Sequence, residues 1–212
     1  MYRNVFKRLI DLGFSVTGLA LLSPVFLTVF LILTATNNGK PFFVQKRPGR
    51  NEKIFSILKF KTMTDERDEQ GNLLPEARRT TRIGNFLRRS SLDEIPQLIN
   101  IIKGDMSLIG PRPLRVHYLP YYTGEERIRH SVRPGITGLA QVSGRNALSW
   151  DDRLSLDIQY VRNLSFAQDV GIFLKTIKKV IAPEQTVYDP QMLDLDELRK
   201  NTPGPSATLE TA

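Results

Sequence analysis

A long uncharged segment near the N-terminus constrains this chain more than any other feature of its sequence. No Asp, Glu, Lys or Arg occurs between Asp11 and Lys40. As one straight helix the segment would be about 42 Å long, which is enough to cross a hydrocarbon core of about 30 Å. The segment is therefore predicted to enter a membrane rather than to form an ordinary surface helix.

Ser23-Pro24 interrupts this segment near its middle. Proline inside a helix removes one backbone hydrogen bond and clashes with the preceding turn, so a break is predicted here, with the Ser23 hydroxyl satisfying backbone groups that Pro24 frees. Each arm is then about 17 Å long and reaches only about the middle of a bilayer. Positive residues, which prefer the cytoplasmic side, flank both ends: Arg3, Lys7 and Arg8 before the segment, and Lys40 and Lys46 after it. We therefore predict a re-entrant helix-break-helix over residues 1–39; a kinked single span is the alternative.

The rest of the chain has the composition of a folded domain. The protein has 212 residues, of which 41% are hydrophobic and 25% charged, enough for one core of ordinary size beside an anchor. It has no cysteine, which excludes disulfides, thiolate metal sites and a cysteine nucleophile. The net charge of +8 indicates an acidic partner, which is nucleic acid, anionic lipid or a phosphorylated small molecule.

Short strands and amphipathic helices are predicted after the anchor. Residues 41–45 and 54–61 are rich in aromatic and β-branched side chains and flank a Pro-Gly turn, which is typical of two paired strands. Lys59 and Lys61 then share a strand face, either towards an anion or towards solvent. Helical spacing recurs over residues 149–161 and 166–180, and the second helix either packs on the core or lies in the membrane interface. Residues 125–129 indicate a short charged helix or loop.

These patterns predict an α+β fold that is mainly helical. The re-entrant membrane anchor (1–39) is followed by a compact catalytic domain at the cytosolic face (40–183), with short strands and interfacial amphipathic helices. A polar C-terminal tail (184–212) ends the chain, and residues 201–212 have the composition of a disordered segment.

An adjacent pair of carboxylates, Asp93-Glu94, is the strongest candidate for chemistry. The pattern from Ser91 to Glu94 matches a capping box, which would begin a helix at Ser91, whereas Pro96 favours a helix that Asp93 itself caps. Either start places Asp93 at the positive end of a helix, where a carboxylate stays ionised and a phosphate is attracted.

Cations around this pair indicate a diphosphate ligand. Guanidinium groups match phosphate oxygens, and three are nearby in sequence: Arg88, Arg89 and Arg112. Neither of the two histidines, His117 and His130, has a metal-ligand spacing, so an ion bound by oxygen atoms, with Mg2+ as first choice, is the predicted metal. A glycine-rich segment, 132–146, either brings backbone N–H groups close to an anion or forms tight turns.

Four motifs in this order closely resemble the bacterial sugar transferase family, the monotopic polyprenyl-phosphate phosphoglycosyltransferases. They are KFKTM at 59–63, SLDEIPQL at 91–98, GDMSLIGPRP at 104–113 and RPGITG at 133–138. The likeness extends over residues 2–180 and is greatest to the small form of the family, as in the initiating enzyme of bacterial N-linked glycosylation. The family's re-entrant helix, broken at a Ser-Pro, matches Ser23-Pro24.

This resemblance implies transfer of a phospho-sugar from a UDP-sugar to undecaprenyl phosphate, with release of UMP, through a covalent intermediate. Asp93 then matches the nucleophile and Glu94 its partner acid. The implied substrate contacts are Pro111, Arg112, Arg88, Lys59 and Arg145, and the implied Mg2+ ligands are Asp93, Glu94 and Asp157. The expected location is the cytoplasmic face of the bacterial inner membrane, in contact with anionic lipids. Whether the protein forms a homodimer is left open.

Two other functions compete with this one. A membrane-bound phosphatase or pyrophosphatase would use the same aspartyl nucleophile but pass the phosphoryl group to water. A membrane-tethered nucleic-acid binder would suit the net charge, but the cations are dispersed and no nucleic-acid motif accompanies them, so we expect no nucleic-acid partner.

Overall fold

The predicted mainly helical class is confirmed. The structure, a computed structural model, describes residues 1–144, 147–181 and 194–200. The helices are α1 (Lys7–Leu21), α2 (Ser23–Thr36), α3 (Glu76–Arg79), α4 (Arg82–Arg89), α5 (Gln97–Lys103), α6 (Leu139–Ser143), α7 (Trp150–Arg162), α8 (Phe166–Ile181) and α9 (Leu195–Lys200). The short strands are β1 (Phe42–Pro48), β2 (Ile54–Phe60), β3 (Ser107–Ile109) and β4 (Gly135–Thr137), and β1 pairs with β2 and β3 with β4.

The chain forms two compact units. The first contains Met1–Gln45, Ser56–Leu108 and the end of α8; the second contains Lys46–Phe55, Ile109–Lys179 and α9. Helices α1 and α2 thus belong to the same unit as the residues around Asp93. The division into anchor, catalytic domain and tail, which rests on function, stays a prediction.

The predicted break at Ser23-Pro24 is confirmed. Helix α1 ends at Leu21, α2 begins at Ser23, and the helix pair is bent by 64°. Pro24 lies in the first turn of α2, where its missing N–H is harmless. The Ser23 hydroxyl donates to the Ala20 carbonyl at 2.8 Å, the group that residue 24 would reach in an unbroken helix.

The bent pair of helices α1 and α2 is the candidate for insertion into a membrane. Within the described residues, no single helix is long and apolar enough to cross a membrane, but the two arms together meet the criteria of length and composition.

One face of α1 is polar and buried. Lys7, Asp11 and Ser15 follow one another at intervals of four residues and are all buried. Asp11 Oδ1 accepts the N–H of Leu108 at 3.0 Å. Arg8 donates to two carbonyls at the C-terminal end of α5, at 2.6 and 3.0 Å, where carbonyls lack helical partners and a cation is favoured. The opposite face exposes apolar side chains, among them Leu9 and Val16.

Helix α2 contributes one face to the core of the first unit. Val29 and Leu33 are buried in a cluster with Phe60 of strand β2. The pairing of β1 with β2 confirms the predicted hairpin. The Phe26 and Phe42 rings lie 5.0 and 5.5 Å from the Phe60 ring. Each such buried side chain contributes about 1.5–3 kcal/mol. The outer face of α2 exposes further apolar side chains: Leu27, Leu31 and Ile32.

The second unit has its own core. Its buried members are Leu114, Tyr118, Tyr122, Trp150, Leu154 and Leu195. Leu195 belongs to α9, a helix within the segment that the sequence indicates only as polar, and Arg199 of α9 donates to both carboxylate oxygens of Glu126 at 2.6 Å.

Helices α7 and α8 confirm the predicted helical spacing. The apolar stripe of α8 is exposed, not packed on the core, so that alternative was wrong. Its exposed members are Phe166, Val170, Phe173, Ile177 and Val180.

Candidate active site

The acid pair does not begin a long helix. Helix α4 ends at Arg89, Leu92–Glu94 form a single 3-10 turn, and α5 begins only at Gln97, after Pro96. Both predicted helix starts, at Ser91 and at Asp93, were wrong, because Pro96 has no N–H to donate and the α-helix forms after it. The Ser91 side chain makes no capping hydrogen bond.

The backbone before the pair is held in a rare conformation. Ser91 has a φ of 57°, in the left-handed region that non-glycine residues rarely adopt. This conformation turns the chain from α4 into the 3-10 turn and leaves the Asp93 side chain largely buried, at 9% exposure. Such strain is typical of functional sites, where the surrounding structure maintains it.

Lys59 of β2 lies against this turn. Its Nζ donates to Glu94 Oε1 at 2.6 Å, and both side chains are about one-fifth exposed. The structure thus brings three predicted site residues together: Lys59 and Glu94 in direct contact, and Asp93 next to Glu94. Of the two lysines that share the predicted strand face, Lys61 instead contacts the exposed Asp65.

Arg88, at the end of α4, is held by the segment after β2. Its Nε donates to Thr62 Oγ1 at 2.9 Å, and its second terminal nitrogen approaches Met63 Sδ at 2.7 Å. Helix α4 fits closely here because it has Gly84 at the contact: a Cβ on Gly84 would lie 1.9 Å from the Thr62 carbonyl oxygen. The Arg88 side chain stays 38% exposed and accessible to a ligand.

In the second unit, the Pro111-Arg112-Pro113 segment is held by backbone hydrogen bonds. The Gly110 N–H donates to the Thr137 carbonyl at 2.9 Å, and the Gly135 N–H to the Pro111 carbonyl at 3.0 Å. A Cβ on Gly135 would lie 2.1 Å from the Gly110 nitrogen. This glycine, which lies in β4, therefore permits close packing of two backbone segments; anion binding and tight turns both stay predictions for segment 132–146. The two prolines are buried, whereas Arg112 is exposed.

Behind this segment lies a buried ion pair that the sequence did not reveal. Arg129 donates to Asp157 Oδ2 from two nitrogens, at 3.1 and 2.7 Å, and to the Arg112 carbonyl at 2.7 Å. The predicted role of Asp157 as a metal ligand stays a prediction, while its contact with Arg129 favours a structural role. Arg145 lies outside the described residues.

Further arginines make the surroundings of Arg112 strongly positive. Burial, together with the nearby Arg112 and Arg115, lowers the pKa of Arg47 to about 10. Burial and Arg112 also lower the pKa of Arg153, against the opposing effect of Asp157. Such mutual repulsion favours binding of an anion. Neither Arg47 nor Arg153 belongs to a motif that could have identified it in the sequence.

Asp93 and Glu94 are the candidate metal ligands of the first unit. Over residues 1–144, 147–181 and 194–200, no group of three or more His, Asp or Glu side chains is arranged to hold an ion. Mg2+ often binds through one or two carboxylates plus substrate phosphates, and Asp93 with Glu94 fits that donor set.

An apolar groove lies between α2 and α4 in the first unit. Its volume is about 370 Å³, and its lining includes Pro24, Ile32, Phe86 and Leu92. Leu92, one of the lining residues, directly precedes Asp93 in the chain.

Comparison with known proteins gives a consistent result. Residues 2–183 match the family described as bacterial sugar transferase. The chain is 47% identical over 180 residues to the sugar transferase EpsL of Bacillus subtilis, covering 85% of this chain and 89% of that protein. It is 38% identical over 193 residues to the undecaprenyl-phosphate galactose phosphotransferase of Salmonella typhimurium, covering 82% of this chain and 40% of that protein.

A third relative extends the range of sugars. The UDP-N-acetylgalactosamine-undecaprenyl-phosphate N-acetylgalactosaminephosphotransferase of Aeromonas hydrophila is 36% identical over 183 residues, which cover 82% of this chain and 43% of that protein. The chain thus spans less than half the length of these two enzymes. Since the family match covers most of the sequence, this chain belongs to the bacterial sugar transferase family.

Proposed function

We propose that this protein transfers a phospho-sugar from a UDP-sugar to undecaprenyl phosphate and releases UMP. The observation that carries the proposal is the buried Asp93 beside a Glu94 held by Lys59. Relatives that cover 82% of the chain are named for transfer of sugar phosphates to undecaprenyl phosphate.

The reaction proceeds in two displacements. A carboxylate oxygen of Asp93 attacks the phosphorus that carries the sugar, the bond to the UMP oxygen breaks, and UMP leaves with the bonding electrons. An oxygen of the lipid phosphate then attacks the same phosphorus and releases the Asp93 carboxylate, while Glu94 takes the proton of the lipid phosphate. Because the substrates react in turn, the site never holds two anionic substrates together.

Charge on the substrates is offset by the cations already described. Arg88 and Arg112 each offer a guanidinium group, which suits the oxygens of a phosphate. Mg2+, held by Asp93 and Glu94, would neutralise charge on the diphosphate. Lys59 keeps Glu94 oriented through the contact at 2.6 Å.

We further propose that the helix pair is a re-entrant anchor at the cytoplasmic face of the bacterial inner membrane. Arg8 at its start bonds to the end of α5, and Asn37 at its end donates to the Lys61 carbonyl at 2.9 Å. Both ends are thus attached to residues of the first unit, whereas a crossing helix would separate its ends across the bilayer. The exposed apolar faces of α1 and α2 support contact with lipid.

The groove between α2 and α4 is the proposed site for the isoprenoid chain of the acceptor. Its apolar lining suits a hydrocarbon, and because Leu92 belongs to that lining, an isoprenoid chain bound there would bring the lipid phosphate towards the turn that holds Asp93. Phe86, which lines the groove and is 63% exposed, can be changed without removing a buried side chain. Phe86→Asp should raise the KM for the lipid and leave the KM for the UDP-sugar unchanged.

Release of UMP tests the proposed reaction against hydrolysis. With a panel of UDP-sugars and no lipid, we expect at most one UMP per enzyme; continuous release should require undecaprenyl phosphate. Continuous release without lipid would instead establish a phosphatase.

Labelling tests the anchor. The chain has no cysteine of its own, so single cysteines next to Met1 and at Lys40 can be labelled selectively. Both should react only from the cytoplasmic side; a label near Met1 that reacts only from outside would establish a crossing helix.

A further inference from the structure

We infer that Arg129 and Asp157 are positioning residues that hold the Pro111-Arg112-Pro113 segment in its binding conformation. This inference rests on the proposed function, in which Arg112 contacts the nucleotide diphosphate. Neither residue needs to touch a substrate, since both act through the backbone of Arg112.

The Arg129 guanidinium distributes its donors over three groups. Nε and one terminal nitrogen bind Asp157 Oδ2, and the same terminal nitrogen donates to the Arg112 carbonyl at 2.7 Å. The other terminal nitrogen donates to the Tyr122 hydroxyl at 3.3 Å. The Arg129 and Asp157 side chains are 2% and 3% exposed, so solvent hardly screens this network.

The contact with Arg112 completes a series of three. Gly110 donates through its N–H, and Pro111 and Arg112 accept through their carbonyls. The first two bonds come from backbone groups of neighbouring segments, whereas the third comes from a side chain. Arg129 therefore determines in which direction the Arg112 peptide group points, and with it the exposed side chain.

Stability alone does not explain this pair. Replacing a buried ion pair by apolar side chains is often neutral or stabilising, because burying two charges offsets their attraction. Within the described residues, Asp157 Oδ1 is also buried without a hydrogen-bond partner. The contacts that orient Arg129 towards Arg112 use only Oδ2.

A double-mutant cycle tests the inference. The apolar pair Arg129→Met/Asp157→Leu, Arg112→Ala and the combined variant are compared by UMP release and thermal unfolding. The apolar pair should fold with a Tm near that of the parent protein and raise the KM for the UDP-sugar about tenfold, with a smaller change in kcat. In the Arg112→Ala background it should have almost no further effect on KM.

A matched control comes from another arginine–carboxylate contact of the same unit. Arg199→Gln breaks the contact with Glu126 and leaves residues 110–113 untouched. It should lower the Tm without raising the KM for the UDP-sugar. If the apolar pair does not fold, Arg129→Lys serves instead: lysine keeps the charge beside Asp157 but lacks the planar fork that reaches Arg112, so the same rise in KM is expected.

Three results would overturn the inference, each in a recognisable way. An equal KM effect with and without the Arg112 side chain would make the pair merely structural. An increased requirement for Mg2+ in the apolar pair would assign Asp157 to the metal. A normal KM in Arg112→Ala would refute the proposed diphosphate contact itself, and the positioning role with it.

Discussion

Gly84→Ala tests how tightly helix α4 positions Arg88. A Cβ at residue 84 would lie 1.9 Å from the Thr62 carbonyl oxygen, whereas real Cβ contacts essentially never fall below 3.0 Å. The obstacle is backbone, which no side-chain rotation can relieve. Helix α4 or the Thr62 segment must therefore move by about 1 Å.

The expected magnitude combines three effects. Alanine favours a helix by about 1 kcal/mol over glycine, whereas overpacking costs about 1–3 kcal/mol. A shift of this size also lengthens the 2.9 Å bond from Arg88 to Thr62 Oγ1 beyond hydrogen-bonding distance, which costs about 1 kcal/mol more. We expect a net loss of about 1–3 kcal/mol and, because Arg88 is displaced, a fall in kcat/KM of up to about 100-fold.

Thermal unfolding and UMP release measure these effects. The matched control is Gly171→Ala in α8, where an added Cβ meets no atom within 4 Å; it should be neutral or slightly stabilising and fully active. For Gly84→Ala, a net loss of about 2 kcal/mol corresponds to a Tm lower by about 4–8 °C. A Gly84→Ala protein as stable and active as the control would refute the close fit of α4.

Three further predictions follow from single residues. Lys59→Met should lower kcat at least about tenfold because Glu94 loses its contact with Lys59, whereas Lys61→Met should cost about 1 kcal/mol of stability and little activity, since it removes an ion pair whose carboxylate is exposed. Ser91→Gly should keep both stability and activity, but Ser91→Val should cost about 1–3 kcal/mol because the left-handed conformation excludes a β-branched residue; equal unfolding curves would contradict this. Burial and Arg129 lower the pKa of His130 from 6.5 to about 3. Between pH 6.5 and 3 the unfolded chain therefore protonates this histidine while the folded protein keeps it neutral. The free energy of unfolding should fall as the pH decreases over this range, by up to about 1.4 kcal/mol per pH unit. His130→Gln should show a shallower loss over that range in chemical denaturation, and an unchanged slope would contradict the assignment.

Features with local causes could be predicted from the sequence. The break at Ser23-Pro24 follows from the covalent geometry of proline. The Ser23 hydroxyl donates to the Ala20 carbonyl, to which Pro24 has no N–H to donate. The β1–β2 hairpin follows from two apolar runs around a Pro-Gly turn. In each case the residues that cause the structure are neighbours in the chain.

The start of α5 shows where local rules fail. A capping box requires the Ser91 side chain to face the next turn, but Ser91 adopts the left-handed conformation as the chain leaves α4. Two local signals conflicted there, and the structure follows neither, because α5 begins only after Pro96.

The sequence identified individual residues of the candidate site, but it did not predict which of their side chains contact each other. Lys59 and Glu94 are separated by 35 positions, and only the folding of β2 against the 3-10 turn brings them together. Arg129 could not have been identified, because an arginine within a charged segment has the same local pattern whether it is solvated or buried. Its burial depends on Asp157, 28 positions away.

The most direct test of the proposed chemistry is the mass of the protein after incubation with a UDP-sugar and Mg2+ without lipid. We expect an increase equal to one phospho-sugar, located at Asp93 by peptide mapping, absent from Asp93→Asn, and lost when undecaprenyl phosphate is added. Turnover by the native protein with no adduct at Asp93, or near-normal turnover by Asp93→Asn, would contradict the account.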